Sequence, residues 1–158
     1  MSLEQALAAW DGKTVAEIEA VYRRYEAEPG FVASVVDLVA KPGHQRGATW
    51  LLKHYVQRGE PLDTRLATRL YEATEHLEHW ESRLHVLQCV AVMPIPRASR
   101  RSVEAFVREC LIDEIKFVRA WAYYGFYMLA VQYPEHREEA ERILQLGMLD
   151  EPASVKAR

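Results

Sequence analysis

Cysteine is scarce. Only Cys89 and Cys110 occur among the 158 residues, too few for a disulfide framework. Both sit in apolar runs, so they read as reduced core thiols, and the expected location is cytoplasmic. Seven glycines and seven prolines exclude a linker-rich or low-complexity chain. Charge of one sign is not in excess: the formal net charge is −3 and the pI about 6.1. That argues against a strongly basic nucleic-acid or membrane binder but leaves room for a local basic patch. No apolar run is long enough to span a bilayer. The most apolar stretch, Ala120 to Val131, reaches about two-thirds of the ~18–20 residues required. The N-terminus has no basic leader, and its apolar stretch is cut by Glu4 and Gln5 and then by Trp10-Asp11-Gly12. Hairpin signals, a Gly-rich phosphate loop, Gly-x-Ser-x-Gly and a Rossmann fingerprint are all missing.

What is there is helical periodicity over one domain-sized chain, 49% hydrophobic and 27% charged. Ser2-Leu-Glu-Gln5 and Thr14-Val-Ala-Glu17 read as capping boxes. Val15, Ile18, Tyr22 and Tyr25 share a face, and Glu28-Pro29-Gly30 ends that run. Phe31 to Ala40 suits a strand locally. Trp50–Val56, Leu66–Leu77, Val103–Leu111 and Phe117–Tyr133 are further helical runs, and Pro134 is placed to open the next helix.

The strongest pattern is an internal repeat. Lys41-Pro-Gly-His-Gln-Arg46, Glu78-His-Trp-Glu-Ser-Arg83, Glu114-Ile-Lys-Phe-Val-Arg119 and Glu151-Pro-Ala-Ser-Val-Lys156 each open a helix. Their terminal cations are 37, 36 and 37 residues apart. An amphipathic helix precedes each, and two helices per period of this length signal an α-solenoid. The period makes Phe31–Ala40 a helix. Six positions past the cation stand Leu52, Cys89 and Gly125; one position later stand Lys53, Val90 and Phe126. Apart from Lys53, one series shrinks as the other grows, as equivalent core sites require. Gly125 is expected to allow a close helix approach.

Ile112-Asp113-Glu114-Ile115-Lys116-Phe117-Val118-Arg119-Ala120 and Leu149-Asp150-Glu151-Pro152-Ala153-Ser154-Val155-Lys156-Ala157 resemble the inter-helix turn and second-helix start of HEAT-type repeats. The resemblance covers about residues 31–158 and is closest in the last two units. It implies an all-α, right-handed α-solenoid of antiparallel helix pairs, forming a single domain over residues 1–158. Repeats fall at about 31–59, 62–93, 99–133 and 135–158, the last incomplete, and residues 1–28 add an N-terminal helical cap. The motif reports architecture and is shared by many functions.

Candidate chemistry follows from this frame. Arg46, Arg83 and Arg119 are expected to pair with acids of the next unit, through Glu78, Asp113 and Asp150 respectively, as a structural ladder. Glu72, Glu75, His76, Glu78, His79, Glu81 and His85 are dense in ligand types but lack a zinc-type motif. They read as a solvated helix end, with His79 near a helix C-terminus. His85 and Cys89 are i,i+4 without an orienting third group, which reads as an inert buried thiol. Arg97, Arg100, Arg101 and Arg108 offer an anion contact diluted by Glu104, Glu109 and Glu114. At the fourth and eighth positions past the repeat cation stand Trp50 and His54, Leu87 and Ala91, Tyr123 and Tyr127. In solenoids of this type the second helices line the concave side. Trp50, His54, Tyr123 and Tyr127 are therefore the expected binding strip, flanked by Arg46 and Lys53.

The expected function is a non-catalytic scaffold holding a protein or peptide on its concave face, with no cofactor, metal or membrane partner. The alternative resembles the HEAT-like DNA-alkylation-repair glycosylases. These need a carboxylate beside concave-face aromatics, and the assigned inner positions carry none. The incomplete fourth repeat is expected to leave Ile143, Leu144 and Met148 as an adhesive edge. That edge suits a homodimer through the C-terminal end or the next helix of a longer chain.

Overall fold

The computed structural model describes residues 1–156; Ala157, which closes the fourth motif, and Arg158 lie outside the described residues. The described chain is helical, with no strand. The helices are α1 (Leu3–Ala9), α2 (Val15–Tyr25), α3 (Phe31–Val39), α4 (Gln45–Gln57), α5 (Thr64–Glu72), α6 (Trp80–Val90), α7 (Arg100–Leu111), α8 (Lys116–Gln132), α9 (Arg137–Asp150) and α10 (Ala153–Lys156). Short 3-10 turns cover 73–76, 97–99 and 134–136. Phe31–Val39 is a helix, as the repeat period requires and its valines alone do not.

Helix starts follow local chemistry. Ser2 and Gln5 form the full capping box. Thr14 does not cap α2. Asp11 Oδ1 accepts from the amides of Lys13 and Thr14, and Oδ2 accepts the Thr14 hydroxyl at 2.7 Å. The Thr14 side chain is engaged with Asp11 instead of the first amides of α2. These bonds, those to Thr14 first, hold the exposed Asp11 carboxyl down at about pKa 2. Pro134 opens the 3-10 turn that leads into α9.

Packing falls into two series. α3 meets α5, and α5 meets α7, while α4 meets α6, α6 meets α8, and α8 meets α10. α3–α4 and α7–α8 join the two series, and α9 packs on α8. Leu51, Leu52, Leu70, Tyr71, Leu87, Val90, Val107, Phe126 and Leu129 form the buried middle. Ion pairs tie helices distant in sequence: Asp37–Arg69 between α3 and α5, and Arg108 with both Glu139 carboxylate oxygens at 2.6 Å between α7 and α9.

α1 reaches the start of α4 because Gly47 has no side chain. A methyl there would meet Leu7 at 2.7 Å and Trp10 at 3.5 Å. Gly125 differs from expectation. A methyl at this position would lie 3.5 Å from both Leu87 and Val107, an ordinary contact. Glycine is not demanded there by crowding at the methyl level. Gly125→Ala is therefore expected to stabilise the fold by about 0.5–1 kcal/mol, the helix-propensity gain. Urea unfolding checks this; a loss of similar size would mean that α8 sits tighter on α6 and α7 than this geometry allows.

Candidate functional site: the open face of α8

α8 has two faces of opposite character. Val118, Ala122, Gly125 or Phe126, and Leu129 recur at helical spacing and are buried against α6 and α7. On the other face run Phe117, Trp121, Tyr124, Tyr127 with Met128, and Val131, spaced by about one turn throughout. Phe117, Tyr124, Tyr127 and Val131 are 50%, 38%, 47% and 54% exposed. The ridge is ordered by its own rings. Trp121 meets Tyr124 edge-on at 6.2 Å, and Tyr124 meets Tyr127 at 6.1 Å. Lys116 lies 5.3 Å over the Phe117 ring. Contiguous exposed apolar surface of this kind marks interaction sites, and Tyr and Trp suit it.

Beside the ridge, α8 and α9 enclose a groove of about 320 Å³ lined by Tyr127, Ala130, Val131, Arg137, Ala140, Glu141 and Leu144. It shares Leu144 with a smaller hollow of about 170 Å³, lined by Tyr123, Gly147, Met148, Val155 and Lys156. Ile143 and Leu144 are half-buried, and Leu146, Met148 and Leu149 are exposed. Of the expected edge Ile143 packs against the core and Met148 is exposed, with Leu144 lining both hollows.

The sequence-derived strip is not assembled as expected. Trp50 is buried at 9% exposure. Its ring stacks on His54 at 4.9 Å, Tyr22 of α2 closes on His54 at 4.5 Å, and Lys53 lies 5.3 Å over the indole. Burial pulls the Lys53 and His54 pKa values below their usual range. α2 thus roofs this part of α4. Tyr123 packs on Gly147 and donates to Glu151 at 3.3 Å. Burial, then the Glu151 carboxylate, raises its pKa. Of the four rings only Tyr127 stands on the open ridge. α6 lies between the α4 pair and the α8 pair, so they form two groups. The fourth and eighth repeat positions do not coincide with the exposed phase of α8, so they leave out Trp121 and Tyr124. The spacing of aromatics within Phe117–Val131 was the signal available.

The cations serve the fold. Arg46 donates to the Gly12 carbonyl at 2.7 Å and to Glu81 at 2.9 Å, not to Glu78. Arg83 pairs with Asp113 at 3.2 Å, as expected. Arg119 pairs with Glu151 at 2.9 Å instead of Asp150, and also donates to the Asp113 and Glu114 carbonyls. In both corrected pairs the acid is displaced from its expected place by one to three residues, a shift that helix-start geometry decides and the repeat period does not. Arg100 and Arg108 are likewise held by Glu135 and Glu139, and Arg97 lies over Tyr133. The basic run is largely consumed by these contacts.

The acid–histidine cluster does not converge. Residues 73–76 form a 3-10 turn, so Glu72 and His76 do not share an α-helical face. His79 is not at a helix C-terminus but caps the N-terminus of α6, accepting from the Glu81 amide at 3.1 Å. Among the described residues no group of three or more His, Cys, Asp or Glu side chains could hold a metal ion. Cys89 is fully buried, and burial pushes both thiols up to about 12, which holds them protonated. No described helix is long and apolar enough to cross a membrane. The chain matches no family model, no curated protein and no solved structure.

Proposed function

We propose that the chain is a non-catalytic protein- or peptide-binding scaffold built as a right-handed HEAT-like solenoid, with residues 1–28 as its N-terminal cap. The α3–α5–α7 and α4–α6–α8–α10 contact series support the paired-helix reading, as does the 36–37-residue period. The binding reading rests on one observation: the aromatic ridge Phe117–Val131 is left open on a helix whose other face is fully packed. The site moves from Trp50 and His54 to α8, with Tyr127 common to both. The proposed location is cytoplasmic.

A peptide-library selection against the immobilised chain tests this reading, run beside a gel-shift assay with duplex DNA. Enrichment of peptides rich in apolar anchors is expected, with no salt-dependent DNA shift. A DNA shift without peptide enrichment would reverse the choice in favour of the glycosylase-like alternative.

A further inference from the structure

We infer that the partner of the α8 ridge is a second copy of this chain, in an isologous dimer that lays the ridge of each copy in the α8–α9 groove of the other. The inference rests on the binding reading above and names its partner. Its basis is self-complementarity. A two-fold interface must present a projection and its matching recess on one patch. Here the ridge and the groove lie side by side and share Tyr127 and Val131. With the two α8 helices antiparallel about Tyr124, Tyr127 of one copy meets Trp121 of the second. Val131 then meets Phe117 of the second copy.

Charge fits the same register. The groove carries Arg137 and Glu141 one turn apart on α9, and both are exposed. Among the described residues neither has an ion pair within its own copy. They line the groove beside Tyr127 and Val131, and the other copy brings the start of its α8, with exposed Glu114 and Lys116, to the Val131 end of that groove. Glu141 then faces Lys116, and Arg137 faces Glu114, twice per dimer. Leu144 of the α9 edge lines the same recess, so the interface that covers the ridge also covers Leu144.

Sedimentation equilibrium of the full chain, up to about 1 mM, tests this with far-UV circular dichroism as the fold control. A reversible dimer in the micromolar range is expected. Tyr127→Glu, on an exposed position, should weaken it at least about tenfold. Lys116→Glu and Glu141→Lys should each weaken it several-fold, and the two together should return to within about threefold of the parent. A monomer at about 1 mM overturns the inference. So does a dimer that ignores Tyr127→Glu, or one in which the charge swap gives no rescue. A monomer that still enriches peptides dependent on Tyr124 leaves the binding reading standing and removes only the second copy as partner. A monomer that enriches none removes both.

Discussion

Acidification from pH 6.5 to 3 is expected to destabilise the fold by several kcal/mol through one residue, His85. Its side chain is buried, with 6% exposure. The Thr49 hydroxyl donates to the Gln45 carbonyl at 2.8 Å, which leaves its oxygen to accept from His85 Nδ1–H at 2.9 Å. Nε2 is then the unprotonated nitrogen, and a second proton would place a charge on a buried ring. Burial first, then the charges of Lys53, Arg46 and His79, hold the His85 pKa down at about 3. The unfolded value is near 6.5. Between these values the unfolded state binds a proton that the folded state refuses, so stability rises with pH. The contribution is complete above pH 6.5 and drains away as pH falls toward 3. At about 1.4 kcal/mol per unit the full span corresponds to an upper bound on the order of 4–5 kcal/mol. Urea midpoints measured from pH 7 to 4 should fall steadily. In His85→Leu, Thr49 keeps its bond to Gln45, and the slope over this range should flatten. An unchanged slope in the variant would place the acid sensitivity elsewhere.

The second large effect belongs to Asp113. Its side chain, 11% exposed, accepts from Arg83 at 3.2 Å and from the Ile115 amide at 2.8 Å. It therefore joins α6 to the start of α8 and satisfies an amide at the head of that helix. Asp113→Ala removes both bonds and leaves the Arg83 guanidinium, itself mostly covered, without its acid. A loss of about 2–4 kcal/mol is expected, above the ~0–1 of an exposed pair. Asp113→Asn should lose less, since an amide oxygen can still accept from Ile115. A double-mutant cycle with Arg83→Ala should give a coupling of about 1–3 kcal/mol. Additive losses would reduce the pair to a surface contact.

The helices were legible because their signals are local or repeated: the Ser2 capping box, Pro134, and a period that overrode the strand-like valines of α3. The site was less legible because exposure depends on what covers a helix. Aligning α4 with α8 on Arg46 and Arg119 assumes equal surroundings. α1 and α2 break that equality. Leu7 seats on Gly47, and Tyr22 closes on His54, whose ring stacks on the buried Trp50. Among the described residues no such cover reaches Tyr124 and Tyr127. Two of the three ladder partners differ for a related reason. The period fixes which turn faces each arginine but not which of several adjacent acids points inward, so Glu81 and Glu151 replaced Glu78 and Asp150.

The open face of α8 is the central claim, and titrating a library-selected peptide against point variants tests it most directly. Tyr124→Ala with Tyr127→Ala should lower affinity at least about tenfold, while Lys53→Ala, over the roofed Trp50, should leave it within about twofold. Loss of binding in Lys53→Ala with full binding in the double tyrosine variant would contradict the account and return the site to α4.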